Sequence, residues 1–182
     1  MSKIYIVRHT DVDQSVHDDF KRPLTEKGEI QRNGYVDYFK TINIDKIFSS
    51  NTIRTFSLAG SVAFDKEISV CVSNRLNERI ISKNWVKGLN FEEFVQHQWN
   101  NRDFHLYGGE SLNNVRRRLQ LLLNSIELTD NTNILIVTHA ATLTELLKIF
   151  GVTMSIDDYV NVGFGKIFIY DTNENIFTKL EL

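Results

Sequence analysis

Two short runs, Ile4-Tyr5-Ile6-Val7 and Ile134-Leu135-Ile136-Val137, are apolar at every position rather than at every second one. A strand with one face in water alternates, so unbroken runs of this length predict strands covered on both faces, the arrangement of a parallel sheet flanked by helices. Further β-branched runs at 44–48, 68–72 and 167–170 supply more strands. Helical patterns lie between them. The clearest, 111–127, puts Leu112, Val115, Leu119, Leu122, Leu123 and Ile126 on one stripe, with Ser111 as N-cap after the Gly108-Gly109 loop. Thr25 caps a helix running to about residue 39, Thr52 opens one to about 63, and 141–150 forms another that Gly151 can stop. This order predicts an α/β fold, a three-layer α/β/α sandwich with a largely parallel central sheet. The terminal segments 166–171 and 176–182 flank the turn-rich Asp171-Thr172-Asn173-Glu174-Asn175 and predict an antiparallel C-terminal hairpin at the sheet edge.

Composition narrows the function classes. The chain has 182 residues, enough for one domain with a real core, and no Pro-, Gly- or Ser-rich linker marks an interior boundary, so 1–182 is expected to be a single domain. The 21 Lys and Arg against 23 Asp and Glu give a formal charge of -2, which offers no net attraction to nucleic acid or to an anionic membrane surface. No apolar stretch approaches the roughly 20 residues needed to cross a bilayer. The N-terminus becomes charged at Arg8, too soon for a signal peptide, and the lone Cys71 cannot form an internal disulfide, so a cytoplasmic protein is the simplest expectation.

Arg8 and His9 directly follow the first buried run, and His139 follows the second. In a parallel α/β sheet the carboxyl ends of the strands open onto the ligand crevice, so these residues are expected to meet there despite about 130 intervening residues. From placement alone, either histidine could equally be a capped or solvated residue at a strand end.

Six segments sharpen this reading: Arg8-His9-Thr10, Leu24-Thr25-Glu26-Lys27-Gly28, Ser49-Ser50-Asn51-Thr52-Ile53-Arg54-Thr55, Leu76-Asn77-Glu78, Gly108-Gly109-Glu110-Ser111 and Val137-Thr138-His139-Ala140. In this order they resemble the motifs of the histidine phosphatase superfamily, the phosphoglycerate mutase-like family. The resemblance implies a metal-independent phosphomonoesterase that needs no cofactor and acts on a small phosphorylated metabolite. It makes His9 the nucleophile, Glu78 the proton donor, His139 the second histidine of the phosphate pocket, and Arg8 and Arg54 the phosphate-binding arginines. Thr10 and the Ala140 amide would add donors, with a lid at about 79–108.

Physical chemistry supports that division of labour. A phosphate monoester carries about -1.5 to -2 charge near neutrality, and two permanently charged guanidinium forks match its charge and its oxygen geometry. An imidazole attacks only when neutral, so its other nitrogen needs a partner, typically a backbone carbonyl after the strand. A protonated His139 would add charge at the equatorial oxygens, and the amides of Ala140 and Ala141 would add donors from a helix N-terminus. A bound phosphate dianion and desolvation both favour a protonated Glu78, which could then release the alcohol and afterwards activate water.

The chain departs from the family pattern at Thr10, where glycine is usual, at Ser15, where many members have asparagine, and at Ser50-Asn51 in place of Ser-Pro. It also has Asn84-Trp85-Val86-Lys87-Gly88 in place of Gly-x-Trp-Glu-Gly. Other readings stay open at several positions. Arg54 could be solvated on a first helical turn, Glu78 could join a surface cluster with Arg79, Glu110 reads as helix capping near Ser111, and Arg116-Arg117-Arg118 as a solvated flank. Trp85, Phe91, Phe94, Trp99, Phe104 and Tyr107 are expected mostly as lid core, with one or two facing the leaving group. His17-Asp18-Asp19 resembles the paired metal ligands of HD-type phosphohydrolases, whose all-helical scaffold this strand-rich chain lacks. A phosphoglycerate mutase-type transfer, a protein phosphate as substrate and a non-catalytic phospho-ligand-binding module are further alternatives. Oligomeric state is open; a homodimer through the last hairpin is one option, against which Lys179 and Glu181 protect the edge.

Overall fold

The computed structural model describes residues 2–84, 86–126 and 131–182. Its centre is a six-stranded sheet built from β1 (Lys3–Arg8), β2 (Lys46–Ser49), β3 (Val70–Val72), β4 (Ile134–Thr138), β5 (Lys166–Asp171) and β6 (Ile176–Glu181), in the spatial order β3-β2-β4-β1-β5-β6. The first four strands are mutually parallel, while β5 runs antiparallel to β1 and β6 antiparallel to β5. The expected parallel sheet with a C-terminal edge hairpin is therefore the observed one.

The unbroken apolar runs have the predicted cause. Ile4, Ile6, Ile134 and Ile136 point to one face, against Val115, Leu119 and Leu122 of α4 (Leu112–Leu123) and Leu143, Leu146 and Leu147 of α5 (Ala140–Ile149). Tyr5, Val7, Leu135 and Val137 point to the other, against Tyr35 and Phe39 of α1 (Glu26–Lys40) and Leu58, Ala59 and Val62 of α2 (Ile53–Lys66). Successive strand residues alternate between faces, so two helical layers require apolar side chains at every position. Two shorter helices, α3 (Phe91–Asn100) and α6 (Ile156–Val160), lie outside this three-layer core.

Thr25 caps α1 as expected, its hydroxyl oxygen accepting from the Gly28 amide at 3.1 Å. The same hydroxyl donates to the Asp11 carboxylate at 2.6 Å, which ties the loop after β1 to the helix. Gly28 is demanded by that closeness, since a Cβ there would stand 2.1 Å from the Asp11 carbonyl oxygen. Ser111 caps α4 in a reciprocal capping box with Asn114. Thr52 occupies the N-cap position of α2 without a side-chain cap bond; its hydroxyl faces Thr55 Oγ1 at 3.0 Å instead. Residue 127, the expected end of the α4 pattern, lies outside the described residues.

Candidate active site

Strand register brings the two histidines together. Val7 pairs with Val137 and Arg8 with Thr138, so His9 and His139 are the next residues beyond the same parallel pair. The His9 amide still donates to the Thr138 carbonyl at 2.9 Å, and the two rings lie 5.2 Å apart between centroids. Both side chains are buried.

Hydrogen bonding fixes both tautomers. His9 Nδ1 donates to the Thr10 carbonyl at 2.7 Å, which is the backbone partner a nucleophilic imidazole requires and leaves Nε2 with its lone pair. His139 Nδ1 stands 3.0 Å from Arg54 Nη2, and because a guanidinium only donates, Nδ1 must accept. His139 Nε2 then donates to Ser50 Oγ at 2.8 Å. His9 is held well below the usual imidazole range by burial and next by the charges of Arg54 and Arg8. His139 is shifted the same way by burial, then by His9, Arg54 and Arg8. The geometry thus supports two neutral imidazoles, with His139 Nδ1 accepting from Arg54 rather than carrying a proton.

The arginines flank the pair. Arg54 is buried rather than solvated on its helical turn, and it is held by both oxygens of the Asp19 carboxylate, at 3.0 and 3.2 Å from Nη2. Arg8 stacks its guanidinium 4.3 Å from the centre of the Phe164 ring, while its buried Nε has no hydrogen-bond partner among the described residues. The buried Thr10 hydroxyl likewise has no partner among the described residues. Unpartnered buried donors of this kind are groups that a negatively charged ligand could satisfy. Ala140 opens α5, where first-turn amides have no partner within the helix. The Ala141 amide is committed differently from expectation, donating to Glu78 Oε2 at 3.2 Å. Ser15, at the family's asparagine position, is exposed and its hydroxyl donates to Asp13 at 2.6 Å.

Glu78 sits beyond the 3-10 turn Asn74–Leu76, half-buried, with its other oxygen accepting from the Arg79 amide at 2.8 Å. Its charge opposes the lowering that burial imposes on the Arg8 guanidinium. It is not part of a surface cluster with Arg79, whose buried side chain instead reaches Gln98 at 2.5 Å and the Tyr159 hydroxyl at 3.3 Å. The shelf carrying Glu78 is fastened at its backbone. Thr138 Oγ1 donates to the Leu76 carbonyl and Thr142 Oγ1 to the Asn77 carbonyl, both at 2.7 Å. Arg118 donates to the Arg75 carbonyl at 2.5 Å, the Asn77 carbonyl at 2.8 Å and the Glu110 carboxylate at 2.9 Å. Arg118 therefore leaves the solvated flank assigned to it, because Glu110 draws it inward. Glu110 in turn accepts from the Ile80 amide and does not cap α4.

Sequence reasoning missed Phe164, Asp19 and Arg118. Phe164 packs on His9 with centroids 5.7 Å apart, delivered there because antiparallel β5 starts where β1 ends, Val7 pairing with Ile167. Its signal was the Gly163-Phe164-Gly165 triplet, both glycines having positive φ, of 57° and 73°. Tyr35, its phenol pushed up to about 12 chiefly by burial, donates to the Lys166 carbonyl at 3.1 Å and steadies that loop. Of the aromatics expected in the lid core, Phe94 is buried and Trp99 and Phe104 pack beside it, but Phe91 and Tyr107 are exposed, at 50% and 78%. Trp85 lies outside the described residues. His17, Asp18 and Asp19 are in a loop, with Asp18 capping the Phe20 amide at 3.0 Å, so the triplet is no HD-type helical ligand pair.

The sandwich brings two neutral histidines and two arginines together at the carboxyl end of its parallel strands, where α/β folds open their ligand crevices. The family model for the histidine phosphatase superfamily (branch 1) matches residues 4–177, and the chain belongs to that family of phosphatases. It is 27% identical over 157 residues to a Salmonella paratyphi A protein named "Probable phosphoglycerate mutase GpmB", across 79% of this chain and 72% of that one. In fold it matches the alpha-ribazole phosphatase from Shigella flexneri with a TM-score of 0.76, at 20% identity over 99% of this chain and 95% of that one. A mycobacterial glucosyl-3-phosphoglycerate phosphatase in complex with VO3 matches with a TM-score of 0.75, at 15% identity over 98% and 97% of the two chains. Among the described residues no helix is long and apolar enough to cross a membrane.

Proposed function

We propose that this chain is a metal-independent phosphomonoesterase that hydrolyses a small phosphorylated metabolite through a phosphohistidine intermediate. The observation that carries the reading is the Thr10 carbonyl on His9 Nδ1, which together with burial keeps the ring neutral and Nε2 nucleophilic. His9 Nε2 attacks phosphorus in line with the ester oxygen. Arg8, Arg54, the Thr10 hydroxyl and the Ala140 amide hold the phosphoryl oxygens, and His139 lines the same pocket. As the phosphorus–oxygen bond breaks, Glu78 gives its proton to the leaving alkoxide; it then takes a proton from water, whose oxygen attacks the phosphohistidine and releases inorganic phosphate. The excursion at about 79–108, whose Phe94 and Val95 pack with Ala141 and Tyr159, acts as the lid of a single-domain enzyme.

Rapid-quench labelling with a substrate carrying a radioactive phosphoryl group is expected to give a protein label stable to base and labile to acid, absent in His9→Ala. A protein that binds phosphate yet shows neither label nor hydrolysis would be the non-catalytic module instead. The similarity to a protein named as a phosphoglycerate mutase supports a second reading, phosphoryl transfer back to the substrate. Accumulation of inorganic phosphate, rather than an isomeric phosphate ester, decides for the phosphatase. Small metabolites are favoured because the structural neighbours include proteins named alpha-ribazole phosphatase and glucosyl-3-phosphoglycerate phosphatase. The ring against the nucleophile is Phe164, which favours a planar or apolar alcohol. Aryl phosphates should therefore outrun sugar phosphates and phosphoglycerates, and Phe164→Ala should narrow that gap about threefold to tenfold.

A further inference from the structure

The loop after His9 places a carboxylate on Arg54, the guanidinium that the proposed function gives to the phosphoryl group. Arg54, with 3% of its side chain exposed, offers Nη2 both to His139 and to the two oxygens of Asp19, while its Nη1 donates to the Asp19 carbonyl. The next residue docks as well, the Phe20 carbonyl accepting from the Ile53 amide at 3.0 Å. Asp18 shapes the turn by accepting from the Phe20 and Lys21 amides. Arg22 lies 3.8 Å from the Asp19 carboxylate and is anchored through its Nε to the Val16 carbonyl at 2.9 Å. Segment 16–22 thus straps across the start of α2, yet Asp19 itself keeps 51% of its side chain in solvent.

This asymmetry is informative. A buried guanidinium without an anion is costly, whereas a half-exposed carboxylate returns to water cheaply. Carboxylate and phosphate oxygens also compete for the same planar fork. We propose that Asp19 is a resident substitute for the phosphoryl group: it neutralises Arg54 until a phosphate enters and then gives up that guanidinium edge, so segment 16–22 loosens on binding and recloses as inorganic phosphate leaves. The inference rests on the phosphate-pocket reading above.

Calorimetric titration of inorganic phosphate into the full-length wild type, Asp19→Asn and Asp37→Asn tests it. Asparagine keeps an acceptor for Arg54 but no charge, and Asp37 is an exposed acid on α1 paired with Lys40. Asp19→Asn should bind phosphate about tenfold more tightly, with Asp37→Asn unchanged. Unchanged or weaker binding in Asp19→Asn, or equal tightening in both variants, overturns the proposal. Hydrogen exchange on the wild type gives a readout free of substitution: peptides covering 16–22 should exchange faster with phosphate present, and slower or unaltered exchange overturns the release. No phosphate binding by wild type at all would remove the pocket reading itself, which separates that failure from this one.

Discussion

His9 and His139 sit on strand ends, whereas Glu78 sits on a loop, and the two regions are made accurate by different means. The histidines inherit their spacing from five consecutive residue pairs between β1 and β4 and from an apolar core on both faces. Moving either ring means slipping a register that would turn a whole strand inside out. Glu78 has no such frame. Its position rests on side chains gripping main-chain carbonyls: Thr138 on Leu76, Thr142 on Asn77, and Arg118 on Arg75 and Asn77. Rigid scaffold serves one half of the site, and a set of separable clamps serves the other.

The largest effect should come from the framed half. His9→Asn is expected to lower hydrolysis of an aryl phosphate by at least about a thousandfold while far-ultraviolet circular dichroism stays unchanged. A loss of less than tenfold would mean that the strand-end geometry is not the reacting centre. Next, Glu78→Gln should cost about 10² to 10⁴ with poor leaving groups and much less with an acidic phenol that departs without a proton. Steady-state rates across a series of substituted phenyl phosphates measure that difference directly.

Arg118→Met sharpens the comparison, because it loosens the shelf without touching a phosphate-pocket group. It should lower kcat about tenfold or more and share the leaving-group sensitivity of Glu78→Gln. An equal loss on good and poor leaving groups would show that the clamps do not position the acid.

The smallest test concerns protons. Burial holds both imidazoles well below 6.5, so beneath that pH the unfolded chain binds protons that the folded chain refuses. Their contribution to stability is present above 6.5 and is lost as the pH falls, each proton adding about 1.4 kcal/mol per pH unit to the slope of unfolding free energy. Urea unfolding between neutrality and mildly acidic pH should therefore show a shallower slope in His139→Gln; an identical slope counts against a neutral, buried ring.

The same division explains what was legible in the sequence. Strand runs, the caps at Thr25 and Ser111, and residues next to strand ends are local signals, and they located Arg8, His9 and His139. Contacts across topology carry no local mark. Asp19 finds Arg54 across 35 residues, and Arg118 finds the Arg75 carbonyl across 43. Charge alone suggested solvent for Arg118, since nothing in the helical stripe reveals that Glu110 waits at its base. Phe91 and Tyr107 erred in the opposite direction: aromatic character suggested burial, but the packing around Phe94 is completed by Trp99, Phe104 and Tyr159.

The reversal of direction between β1 and β5 has one more consequence. It lets a three-residue turn, Gly163-Phe164-Gly165, stand against His9 although it lies more than 150 positions away along the chain and belongs to no helix or strand. On the proposed function, substrate preference and phosphoryl chemistry would then lie in separate stretches of the sequence, and the turn could change while the strand that presents His9 is left alone.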